Sequence, residues 1–125
     1  MVKTVMIVDD AEDTVGLVKK ILESEGYTTM DAPNGKEALK LLKKTKEKPD
    51  LLLLDMFMPE MSGREVCERI RKDKELKDLK VVFFTVATFR GQGKQMLKDL
   101  NVLDYITKPF DIDDLLKRVQ KVLKE

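Results

Sequence analysis

Three blocks of consecutive apolar residues, VMIV (5–8), LLLL (51–54) and VVFF (81–84), constrain the fold more than any other feature of this chain. Each is too short for a helix, and none alternates with polar residues. Strands of this kind need cover on both faces, which is the situation inside a parallel sheet flanked by helices. Two weaker runs extend the set: the more polar Tyr27-Thr28-Thr29-Met30 and a short one around Tyr105-Ile106. Between them the apolar residues fall at helical spacing. Leu17, Val18, Ile21 and Leu22 mark a first helix, with Gly26 placed to end it. Ala38, Leu39, Leu41 and Leu42 mark a second, after the turn signal Asn34-Gly35. Ser62 with Glu65 forms a capping box for a third, whose Val66 and Ile70 face the core. A fourth, at 94–100, is the least regular, with Gly91 and Gly93 near its start. Asp111 is a good N-cap for a fifth, carrying Leu115, Leu116, Val119, Val122 and Leu123.

The order βαβαβαβαβα predicts an α/β fold: a doubly wound, five-stranded parallel sheet with right-handed crossovers. The 125 residues suffice for one domain, 1–125, and show no repeat or linker. Lys and Arg balance Asp and Glu to a net charge of +1, unlike the strongly basic balance of a general nucleic-acid binder. There is no histidine, which excludes a Ser-His-Asp triad, a histidine general base and a phosphohistidine in this chain. The single cysteine, Cys67, excludes an internal disulfide. With no signal-peptide pattern and no stretch of membrane-spanning length, the chain reads as soluble and cytoplasmic.

Ligands of open parallel sheets bind at the carboxyl ends of the strands. Here those ends carry Asp9-Asp10, Asp55, Thr85 and, after the fifth strand, Lys108-Pro109. If strands one and three are neighbours, three carboxylates converge. Converging carboxylates need a cation or a proton, and magnesium suits a site built of a few carboxylates and waters. An Asp carboxylate is also a competent nucleophile toward phosphorus. Lys108 would supply a point charge for the phosphoryl group and Thr85 a hydroxyl hydrogen bond, the electrostatic positioning that phosphoryl transfer requires. Each residue alone has an ordinary structural reading as a turn, cap or strand residue; the case rests on all five falling at one end of successive strands.

The segments IVDDAED (7–13), PDLLLLDMFMPEMSG (49–63), VVFFT (81–85) and DYITKPF (104–110) resemble the receiver domains of two-component response regulators, over essentially the whole chain. The resemblance implies a flavodoxin-like (βα)5 fold with strand order 2-1-3-4-5, an order that sequence pattern alone does not give. It implies that Asp55 is the phospho-acceptor, and that Asp10 ligates magnesium directly while Asp9 acts through water. Phe57 would ligate through its backbone carbonyl. Thr85 would be the switch hydroxyl, Lys108 the phosphate contact and Tyr105 the aromatic that follows Thr85, with a cis Lys108-Pro109 bond. Phe57 and Ala87 stand where the family tunes the lifetime of the acyl phosphate. Val86 departs from the small residue usual after the switch hydroxyl and could narrow access to the phosphate. Asn101-Val102 replaces a common Gly-Ala, and Asn tolerates the left-handed conformation needed there. The segment 88–96 is less regular than in the family.

The reading is a stand-alone receiver. It would take a phosphoryl group from a sensor histidine kinase or a histidine phosphotransfer protein and signal by protein contact through helix four, strand five and helix five. Its chemistry would be limited to its own phosphorylation and dephosphorylation, with no nucleic-acid or membrane contact of its own. The alternative is a receiver-like interaction module that works without phosphate, motivated by Val86. A hydrolase with an Asp nucleophile is disfavoured because Phe57 stands where its second carboxylate belongs. A flavin site would need a hydroxyl- and glycine-rich loop after strand one, where two acids stand.

Overall fold

The computed structural model describes residues 2–86 and 92–124. The expected alternation is present: β1 (Thr4–Val8), α1 (Glu12–Ser24), β2 (Thr28–Ala32), α2 (Gly35–Lys44), β3 (Leu51–Asp55), α3 (Gly63–Lys72), β4 (Val81–Thr85), α4 (Gln92–Asp99), β5 (Asp104–Thr107) and α5 (Ile112–Leu123). The strands form one parallel sheet in the order β2-β1-β3-β4-β5.

The unbroken apolar strands divide their side chains between two cores by simple alternation. Val5, Ile7, Leu51, Leu53, Val82 and Phe84 pack with residues of α1 and α5. Met6, Val8, Leu52, Leu54, Val81 and Phe83 pack on the other face with α2 and α3, and Met96, Leu97 and Leu100 rest against them. The central strands β3 and β4 are buried along their whole length, whereas the edge strand β2 is half-exposed, which explains its more polar sequence.

Local signals act at the helix ends. Ser62 accepts from the Glu65 N–H, and the Glu65 side chain returns to the Ser62 N–H, so the capping box forms. Asp111 caps α5 by accepting from the Asp114 N–H. Asn34, expected in a turn, caps α2 through the Glu37 N–H. Gly26 has φ +93, the left-handed stop that ends α1 without a Cβ clash. Asn101 takes the positive φ expected of it.

Two expectations change. Leu17 is exposed, and the core face of α1 is Val15, Val18, Ile21 and Leu22. One turn contains several apolar residues, and only the crossing of α1 over the sheet selects among them. The fourth helix runs over Gln92–Asp99 rather than 94–100, takes Gly93 inside it, and buries none of its residues fully.

Candidate functional site

Register builds the site. Val8 pairs with Leu54, so Asp9 and Asp55 come side by side past the ends of β1 and β3. Asp55 pairs with Phe84, which puts Thr85 one step beyond it on β4. Thr85 pairs with Thr107, and the Lys108 N–H donates to the Thr85 carbonyl at 2.8 Å, so the lysine enters the same cleft. Four chain segments, separated by up to a hundred residues, thus meet at one edge of the sheet.

Carboxylate oxygens of Asp9, Asp10 and Asp55 lie within 4.8 Å of one another. Asp9 and Asp55 are buried, at 3% and 5% exposure, and Asp10 is exposed. Asp9 Oδ1 accepts from the Ala11 N–H at 2.9 Å, which orients it. Asp55 Oδ1 accepts from the Phe57 N–H at 3.3 Å. Lys108 Nζ lies 2.5 Å from Asp9 Oδ2 and 3.7 Å from Asp55 Oδ1, with the Phe84 ring centroid 5.0 Å away. Burial pushes the Asp55 carboxyl up from 3.8 to about 6, and the charge of Asp9 adds to this. Lys108 and the Phe57 N–H pull the other way. One lysine therefore does not balance three acids. The hard oxygen donors and their excess negative charge fit a divalent cation.

The remaining expected residues are placed as follows. Thr85 is fully buried. It follows Phe83 by two residues and so shares the α2–α3 face of the sheet. Tyr105 pairs with Phe83 and packs half-buried on that same face. Phe57 lies two residues past β3 and Val86 directly follows β4, and they are exposed at 57% and 71%. The Lys108-Pro109 bond is cis. Ala87 lies outside the described residues.

Gly63 is a positioning residue that the sequence reading passed over. A Cβ there would sit 2.4 Å from the Asp55 carbonyl oxygen and 2.8 Å from the Met56 Cα, both backbone atoms. Its own N–H donates to the Met56 carbonyl at 2.8 Å. The first turn of α3 therefore rests directly on the backbone that carries Asp55. A glycine immediately after an N-cap serine was the available signal.

This architecture defines a class. The chain belongs to the response regulator receiver domain family, whose model matches residues 5–120. It is 38% identical to sporulation initiation phosphotransferase F of Bacillus subtilis, over 98% of this chain and 95% of that protein. It is 35% identical to the alkaline phosphatase synthesis transcriptional regulatory protein PhoP of the same organism, over 99% of this chain but only 50% of that protein. The chain thus spans about half of one relative and nearly all of the other. The solved chemotaxis protein CheY4 of Vibrio cholerae superposes with a TM-score of 0.88 at 30% identity, covering 98% of this chain and 99% of that one. The chain is a receiver domain homologous to single-domain response regulators of two-component signalling, and its acidic cluster fits phosphorylation-dependent signalling. Receivers of this family take their phosphoryl groups from histidine kinases or phosphotransfer proteins, and bind magnesium in such an acidic pocket. Among the described residues no helix is long and apolar enough to cross a membrane.

Proposed function

We propose that Asp55 is the phospho-acceptor of this receiver. The observation that carries the reading is a buried carboxylate beside a second buried acid, with one lysine reaching both, at the carboxyl edge of a parallel sheet. Asp55 attacks the phosphorus of a phosphohistidine on a partner kinase or phosphotransfer protein. The new O–P bond forms as the N–P bond breaks, and the histidine leaves as imidazole. Asp9, Asp10, Asp55 and the Phe57 backbone carbonyl would hold magnesium, which supplies positive charge to the phosphoryl oxygens. Lys108 reaches both buried acids, so it can follow the negative charge as it moves onto the phosphoryl group. Thr85, at the end of β4, offers its hydroxyl to a phosphoryl oxygen, and Tyr105 on the same face follows Thr85. That pair transmits the modification to the α4-β5-α5 surface by favouring one of two arrangements. Residues 1–125 act as one receiver domain in the cytoplasm, and the chemistry of that domain is its own phosphorylation and dephosphorylation.

Intact-mass measurement after treatment with acetyl phosphate and magnesium tests the reading. The wild type gains a phosphoryl adduct that EDTA prevents, and Asp55→Ala gains none. An adduct on Asp55→Ala would show that the acceptor is another residue. Absence of an adduct from any donor would favour a phosphate-independent interaction module.

Phe57 and Ala87 tune the lifetime of the adduct. The exposed Phe57 ring stands two residues past Asp55 and shields the acyl phosphate from water. Phe57→Asn shortens the lifetime by about tenfold. An unchanged dephosphorylation rate removes Phe57 from this role.

A further inference from the structure

Charge is balanced over the whole chain, at +1, but not locally. Lys36, Lys40, Lys43 and Lys44 stand at i, i+4, i+7 and i+8 of α2, a spacing that puts them on one side of the helix. The opposite side holds the buried Ala38 and Leu42. Arg69 of α3 joins the lysines across an open groove of about 680 Å³, and Leu39 and Met61 provide its apolar, half-buried lining. Among the described residues, Lys36, Lys44 and Arg69 have no ion-pair partner. Lys40 reaches Glu37 only at 4.0 Å, while Lys43 is held by Asp73 at 3.0 Å.

Like charges four residues apart disfavour a helix. Lys43 and Lys44 lie in the last turn, where the helix dipole favours cations. Lys36 lies in the first turn, where it does not, and Lys40 has no close acid among the described residues, so folding gives no reason for these two to join them on one side. Association does. The groove has an apolar strip of Leu39 and Met61, with Arg69 and four lysines at its rim. Among the described residues, none from α4, β5 or α5 lines it.

The chemistry of the groove selects its occupant. A nucleic-acid site of this kind would stack bases on aromatic rings or sit on a strongly basic chain. Among the described residues no aromatic side chain lines this groove, and the chain is nearly neutral. A membrane surface would call for large apolar side chains projecting outward, whereas Leu39 and Met61 are half-buried between two helices. A protein segment that presents both carboxylates and apolar side chains satisfies rim and lining together.

We propose that the α2–α3 groove docks an acidic amphipathic helix of a partner protein. The apolar residues of that helix, at i, i+3, i+4 and i+7, lie against Leu39 and Met61. Its carboxylates face Lys36, Lys40, Lys44 and Arg69. The inference does not depend on which residue accepts phosphate.

The test is an NMR titration of the isotope-labelled protein with a panel of synthetic amphipathic helical peptides. They carry Leu, Ile or Phe at those positions and Glu elsewhere, and a matched panel has Gln for Glu. Members of the acidic panel shift the amide resonances of α2 and of residues 61–69, and added salt weakens them. Together, Lys36→Glu, Lys44→Glu and Arg69→Glu lower the affinity by about tenfold or more. Met61→Gln, with its spectrum otherwise preserved, lowers it as well. The proposal is overturned if no acidic peptide binds more tightly than about 1 mM, if the Gln panel binds equally, or if the charge reversals have no effect. Tighter binding to phosphatidylserine vesicles or to an oligonucleotide than to every peptide also overturns it. So does self-association in sedimentation that the charge reversals abolish, because the occupant would then be a second copy of this chain.

Discussion

Two clusters of like charge on this receiver differ in what surrounds them. Asp9 and Asp55 are enclosed at the edge of the sheet, while Lys36, Lys40 and Lys44 stand in solvent along α2. Between enclosed charges the effective dielectric is low and repulsion is strong. The cost appears inside the molecule, as an Asp55 carboxyl raised to about 6, first by burial and then by the charge of Asp9, and as a lysine drawn onto Asp9. Between exposed lysines water screens the same repulsion to little. Their cost to folding is small, and their effect is on what the surface attracts. The buried cluster is thus suited to chemistry and the exposed one to recognition.

The comparison breaks most sharply at Gly63. If the acidic cleft depends on α3 resting against the Asp55 backbone, Gly63→Ala destabilises the protein by about 2–3 kcal/mol, since neither clashing atom can rotate away. Urea unfolding measures this. A loss below about 0.5 kcal/mol would mean that α3 can shift without cost.

Next in size is the titration of Asp55. Its folded pKa, about 6, lies above the ordinary 3.8, so the folded state holds the proton more tightly than the unfolded state does. Without metal, stability falls as pH rises from about 4 to about 6 and stays reduced above that. Asp55→Asn removes this part of the slope and is more stable than wild type at pH 7.5 by up to about 3 kcal/mol. Magnesium raises the stability of the wild type and not of the variant. The measurement is the urea midpoint against pH, with EDTA and with magnesium. An identical pH slope in the two proteins would falsify the assignment of strain to this carboxyl.

The smallest effect belongs to the exposed cluster. Lys36→Ala with Lys44→Ala changes stability by no more than about 0.5 kcal/mol. A larger destabilisation would show that these side chains contribute to the fold through their packing.

Much of this was legible residue by residue. The strand runs, the Ser62–Glu65 capping box, the Asp111 cap and the Gly26 stop are local patterns, and each holds in three dimensions. The acids and Lys108 were legible as residues at strand ends, and the receiver resemblance supplied the strand order. Leu17 was misplaced because spacing defines an apolar face only to within a turn. The role of Gly63 was missed because a close contact with a backbone eight residues earlier leaves no mark in periodicity. The bounds of α4 were missed because glycines lower helix propensity without forbidding the helix, and packing of Met96, Leu97 and Leu100 against the core offsets that cost.

By itself the sequence determined the set of strands and helices, the parallel character of the sheet and the chemical identity of the groups at its carboxyl edge. Those properties depend on residue type and spacing over a few positions. Only the tertiary structure decided that Asp9 faces Asp55, that Lys108 reaches both, that burial raises the Asp55 carboxyl, and that Arg69 completes a basic groove with α2. Each of these is a distance between residues remote in the chain, set by strand register and helix packing.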